Sequence, residues 1–313
     1  MNPALSVIFF TTLSGAGYGL WFWWALDGFG LGLGRSSEDV LFAWLLAAVV
    51  GFVLVTVGLL SSTLHLGKPG RAWRAFSQWR TSWLSREGVA SLLAYAAFVA
   101  CFMALRWNLT AAVPLAAAAV ALLALGTVCC TAMIYACLKT VPAWRQKLVL
   151  PGYLVFALHT GGLLHAAVYA LAGARPVLTA PALVILATTS LATAWIKEGY
   201  WHAIDRIQFP SRAAATGLEG FGNVTTFERP HTQANYLTHE MGFVLARKHS
   251  ARLRLLALLA FAVLPLLALI ASVLLPGSAV FALPLAALAA LAGAFVERWL
   301  FFAEARHLVM LYY

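Results

Sequence analysis

The chain has 313 residues, 62% of them hydrophobic and 10% charged, against about half apolar and a quarter charged in soluble domains. That balance excludes an ordinary soluble fold and points to an all-α integral membrane protein. A net charge of +10 would suggest nucleic acid, but the charges cluster between apolar runs, where membrane topology accounts for them and no nucleic-acid partner is implied.

A spanning helix needs about 20 apolar residues. The first such run is 5–26; no Lys or Arg precedes it and no small-residue cleavage pattern follows, so a retained helix is expected rather than a signal peptide. After "DGFGLGLGRSSED" comes a second run, 40–64, and then the dense stretch "HLGKPGRAWRAFSQWRTSWLSRE" at 65–87. Runs at 88–106 and 112–138 follow, then a short basic loop, 149–172, a "GARP" turn and 177–197. Residues 198–253 form a long connection whose last part reads as an amphipathic helix running into 254–275, and "LLPGS" separates that run from 279–303. Pro114, Pro151 and Pro284 fall near helix starts, where a missing N–H is tolerated. The expected architecture is a single domain, a bundle of eight transmembrane helices with a long cytoplasmic connection between the sixth and seventh. A connection of that length carries a function or covers a partner.

Eight spans put both termini on one side, with the 2–3, 4–5 and 6–7 loops. Seventeen Lys and Arg residues lie on that side, and three, Arg35, Arg106 and Arg175, lie on the other. The positive-inside rule makes the rich side, and both termini, cytoplasmic, in a bacterial inner membrane.

Ionisable groups within spans are functional candidates. His65 closes the second span beside Lys68, Arg71 and Arg74, and Glu87 opens the third. An imidazole, a carboxylate and guanidinium groups at one depth suit a quinone, whose carbonyls take hydrogen bonds and whose reduction takes up two protons. The alternative is an interfacial histidine among phosphate-binding arginines. Trp73, Phe76, Trp79 and Trp83 recur every three or four residues, as one face of an interfacial helix. They serve as an aromatic belt, a pocket wall or a docking face for a soluble subunit. His159 and His165, six residues apart, sit about 240° around one helix, so they do not share a face for a haem iron. Hydrogen bonding to neighbouring helices is the better reading, and no haem is expected. Adjacent Glu297 and Arg298 point about 100° apart and need not pair with each other; Arg298 braces another helix or lines a quinone cavity.

Cys101, Cys129, Cys130 and Cys137 lie in apolar runs without Cys-x-x-Cys spacing, so no metal or iron–sulfur site is expected in this chain. Phosphate-loop, Gly-x-Ser-x-Gly and His-Glu-x-x-His motifs are absent, which leaves substrate chemistry to another chain. A transporter remains the rival class, though the paired broken helices of two related halves are not visible.

"HLGKPGRAWRAFSQWRTSWLSREGV", "YACLKTVPAW" at 135–144 and "ERWLFF" at 297–302 resemble the membrane anchor subunits of the dimethyl sulfoxide reductase family, DmsC, over nearly the whole chain. The resemblance implies a haem-free anchor for a four-cluster iron–sulfur subunit, itself joined to a molybdopterin catalytic subunit, exchanging electrons with ubiquinone or menaquinone. It places His65, Glu87 and Arg298 at the quinone, and Arg71, Trp73 and Arg74 of the 65–87 stretch are expected around the same headgroup. Lys68, Trp79, Arg80, Trp83, Trp144 and Arg145 fall to partner docking. The long 6–7 connection, the "MNPALSVIFFTTLSGAGYGL" start and "THEMGFVLARKH" look more like the sulfite-dehydrogenase branch, whose anchors serve a cytoplasm-facing complex that reduces quinone. The reverse flow, quinol oxidation by a sulfoxide or polysulfide reductase, keeps the same architecture.

Overall fold

The computed structural model describes residues 2–30, 37–64, 67–174, 179–228, 233, 235, 241, 245–275 and 277–312. Among the described residues, eight helices are long and apolar enough to cross a membrane. They are α1 (Leu5–Gly30), α2 (Glu38–Thr63), α3 (Trp83–Arg106), α4 (Ala112–Ala136), α5 (Val149–Leu171), α6 (Ala180–Asp205), α7 and α8 (Ala279–Ala303). α7 runs Leu245–Leu258, passes through a π-helical turn at Leu259–Val263 and continues over Leu264–Leu274. α3 and α6 are among the helices that outrun their apolar stretches. α3 starts at Trp83 because the Ser82 hydroxyl accepts from the Ser85 amide, and α6 carries its polar end as far as Asp205.

α1 and α5 are the central helices and the most deeply buried. They meet backbone to backbone: a Cβ on Gly19 would lie 1.7 Å from the Ala157 carbonyl oxygen, and one on Gly161 would lie 2.2 Å from the Leu20 nitrogen. Small residues permit that approach, which supplies the dispersion energy that membrane helices rely on in place of a hydrophobic effect. One wall of α1 is aromatic. Trp21 stacks on Phe98 with ring centroids 4.6 Å apart, and Trp24 stacks on Trp44 at the same separation.

The π-turn has an identifiable cause. Pro265 has no N–H for the carbonyl four residues back, that of Phe261. His159 supplies the missing donor: its Nε2–H reaches the Phe261 oxygen at 2.6 Å, which leaves Nδ1 to face the Thr189 hydroxyl at 3.2 Å. Both ring nitrogens are thereby engaged by protein. His159→Leu strips the carbonyl of its partner, and thermal unfolding in detergent should register a loss of about 1–3 kcal/mol.

At one end of the bundle the connections pack on one another. The Leu308 amide donates to Thr140 O at 2.9 Å, joining the C-terminal tail to the 4–5 loop. Arg212 Nε donates to Leu311 O at 3.0 Å, joining the same tail to the segment after α6. Ser61 near the end of α2 donates to Ser6 O at the start of α1. At the opposite end Asp27 of α1 accepts from His165 and from Tyr169 of α5, at 2.5 and 2.6 Å.

Candidate functional site

The segment that links α2 to α3 forms a 3₁₀ helix, Pro69–Gln78. Three residues per turn align positions 73, 76 and 79. Trp83 is not part of that row, because it belongs to the first turn of α3. Phe76 anchors the row: a Cβ on Gly88 would meet its ring at 2.9 Å, so the ring lies over the glycine of α3. Trp73 and Trp79 remain 66% and 52% exposed. Arg86 closes the segment, donating to the carbonyls of Trp79 and Arg80 at 3.0 and 2.6 Å. Arg74, Arg80 and Arg86 each lie over the ring of Trp73, Trp79 and Trp83 respectively, within 5.6 Å of the centroid.

Glu87, one residue further on, faces the opposite way. It is buried inside the bundle, and its carboxyl accepts the hydroxyl hydrogen of Thr131 on α4. Tyr18 lies near it, with Ser91 and Thr127 beside the Tyr18 hydroxyl, and no cation pairs with Glu87 among the described residues. Arg298 is buried too, with its guanidinium 3.7 Å from the centroid of Tyr153 and 3.3 Å from Glu297 Oε2. The neighbours Glu297 and Arg298 therefore do touch, and Lys197 of α6 reaches the other oxygen of the same carboxylate. The two buried carboxyls are in opposite situations: Glu297 is clamped between two cations, and Glu87 rests on a neutral hydroxyl.

A small cavity of about 20 Å³ lies between α1, α4, α5 and α8, with Thr12, Thr131, Thr160, Tyr153 and Arg298 in its wall. It brings Arg298 and the hydrogen-bond partner of Glu87 to one space. The expected headgroup set is thus divided by the structure. Glu87 and Arg298 converge within the bundle; Arg71, Trp73 and Arg74 stand on the exposed 3₁₀ segment outside it. His65 lies outside the described residues.

Of the residues expected to dock a partner, Lys68, Trp79, Arg80 and Arg145 are exposed, and Trp83 is half-buried. Trp144 offers no such surface and corrects that expectation. It is 5% exposed, donates to Phe301 O at 3.0 Å and stacks on the Phe301 ring. The loop it belongs to turns this side chain inward as a peg between Tyr135 of α4 and Phe301 and Phe302 of α8, leaving Arg145 outside.

Sequence reasoning passed over Asp27, which sits within α1 but reads as the start of a loop. It also passed over the pairing of Lys197 with Glu297 and the hydroxyl-rich "FFTTLSG" face of α1. A signal existed for the last: two threonines and a serine in the first half of an apolar span are bound for an interior.

The class that fold and site define is a polytopic membrane protein with a buried acidic and basic interior at one end, beneath a basic, aromatic surface segment. Residues 1–303 match the family described as "DMSO reductase anchor subunit (DmsC)". The chain is also 33% identical to a subunit of the sulfite dehydrogenase of Allochromatium vinosum, over all of this chain and 99% of that protein. No solved structure matches it. The chain belongs to the DmsC family of membrane anchor subunits.

Proposed function

We propose that the chain is the quinone-reactive membrane anchor of a heterotrimeric oxidoreductase in a bacterial inner membrane, with both termini cytoplasmic. Its partners are a four-cluster iron–sulfur subunit and a molybdopterin subunit that oxidises sulfite. Electrons arrive through the clusters, and a quinone takes two of them beside His65 and Glu87, with Arg298 deeper in the bundle and Arg71, Trp73 and Arg74 at the entrance. Ubiquinone and menaquinone both suit this chemistry.

The observation that carries the reading is the environment of Glu87: a buried carboxyl in the first turns of α3, with no cation paired to it among the described residues, held by a hydroxyl. Such a group is free to give and take a proton, whereas one locked in an ion pair is not. Full-length similarity to a sulfite dehydrogenase subunit supports the substrate and hence the direction of flow. Protons drawn from the cytoplasmic side would make the quinone step itself electroneutral.

The exposed Lys68, Arg71, Arg74, Arg80 and Arg145 form the docking side. Arg80→Glu combined with Arg145→Glu should weaken capture of the soluble subunits about tenfold, about 1.4 kcal/mol, and more at low ionic strength. Co-purification through a tag on this chain measures it. The same purification tests the whole reading. Molybdenum, iron and sulfide recovered without haem support it; a chain that purifies alone and metal-free, although its partners are expressed, favours the transporter class.

A further inference from the structure

A set of buried polar groups leads away from the quinone site to the surface of the bundle. It begins at an open pocket of about 350 Å³ at the loop-packed end of the bundle, lined by Asp205, Ser250, Arg254, Glu304 and Arg306. Arg254 is its hub, donating to both oxygens of Asp205 at 2.7 and 2.9 Å and to Glu304 Oε1 at 3.0 Å. Glu304 Oε2 is buried and has no hydrogen-bond partner among the described residues, and burial holds this carboxyl above the usual carboxylate range. Lys197 lies close enough to interact with Glu304 and ion-pairs with Glu297, which in turn meets Arg298.

Two further cavities continue inward. One of about 10 Å³ has Lys197, Tyr200, Tyr153 and Arg298 in its wall. The other is the cavity of about 20 Å³ already described, and it shares Tyr153, Phe156 and Arg298 with the first. A water needs roughly 10–15 Å³ and two to four polar partners. The Tyr153 and Thr12 hydroxyls are buried without hydrogen-bond partners among the described residues, and both residues line the larger cavity. Unpaired hydroxyls around a space of that size are what a bound water satisfies. Beyond it Thr131 donates to Glu87.

We propose that these groups form a proton relay running from the Glu304 pocket past Tyr153 and a water held in the inner cavity, through Thr131 to Glu87. The inference rests on the reading of Glu87 as the carboxyl beside the quinone. The balance is simple. Two electrons pass from the partner clusters to the quinone, which is reduced to quinol as the clusters are oxidised, and two protons must reach its oxygens. Glu87 hands over one proton, is refilled along the hydroxyls by one entering from water at the Glu304 pocket, hands that over as the second, and is refilled again. Tyr153 and Thr12 hold and orient the water, so they are positioning residues; the Lys197–Glu297–Arg298 ion pairs keep the adjoining wall polar.

The test uses the whole membrane complex, reduced with stoichiometric dithionite and mixed with a short-chain ubiquinone, following iron–sulfur reoxidation in H₂O and in D₂O. Tyr153→Phe and, at the aqueous mouth, Glu304→Gln should each slow reoxidation about tenfold and raise the solvent isotope effect. Reduction of the clusters by substrate should not change. Wild-type rates in both variants overturn the relay while leaving the quinone site standing. Slowing with an unchanged isotope effect overturns it as well, since a packing defect alone behaves that way. If the wild-type complex fails to reoxidise with quinone, the quinone reading itself falls.

Discussion

Glu87→Gln is expected to lower quinone-dependent turnover by about 10²–10⁴-fold, the usual contribution of a positioned acid or base. The substitution is nearly isosteric. The amide oxygen still accepts from Thr131, so α3 and α4 stay docked and stability should change by less than about 1 kcal/mol. What disappears is the exchangeable proton. Reduction of the iron–sulfur clusters by sulfite should proceed at the wild-type rate, because that step precedes the quinone. Steady-state assays with sulfite and quinone, beside stopped-flow cluster reduction, separate the two. A Glu87→Gln complex with full quinone turnover would show that the carboxyl only packs.

Glu297→Gln is expected to damage the fold more than the chemistry. Glu297 is 0% exposed and takes Lys197 on one oxygen and Arg298 on the other. Removing the anion leaves two cations side by side in a buried site, a loss of about 3–5 kcal/mol. The aromatic rings recover only part of it. Lys197 lies 4.0 Å from the Tyr200 centroid and Arg298 lies 3.7 Å from that of Tyr153, contacts worth about 2 kcal/mol each when desolvated. Pairing Glu297→Gln with Lys197→Met leaves a single cation over its ring and should restore much of the stability. Thermal unfolding in detergent measures all three proteins; a double variant no better than Glu297→Gln alone would mean the ion pairs do not hold α6 to α8.

These two carboxyls also show what a sequence conveys and what it withholds. Eight spans are legible because the bilayer demands a fixed length of apolar helix, and hydropathy records that demand directly. Glu87 and Arg298 are legible as candidates because charge inside a span needs a reason. Their surroundings are not. Lys197 and Glu297 are a hundred positions apart, and only the packing of α6 on α8 makes them partners. His159 is half-legible: Pro265 announces that the Phe261 carbonyl has lost its donor, but not which helix replaces it. Trp144 shows the limit of motif reasoning, since membership in a Thr-Val-Pro-x-Trp loop does not say whether the ring points outward to a partner or inward to Phe301. Asp27 was hidden by its neighbours, because a glycine-rich stretch directly after it reads as a loop although α1 continues past Asp27 to Gly30.

Sulfite-dependent quinone reduction should be followed in membranes that carry the complete complex and in membranes that contain the two soluble subunits without this chain. Quinone reduction present with the chain and abolished without it, while the soluble pair still passes electrons from sulfite to an artificial acceptor, is the expected result. Equal quinone reduction in both membranes would contradict it, and would reduce this chain to a tether.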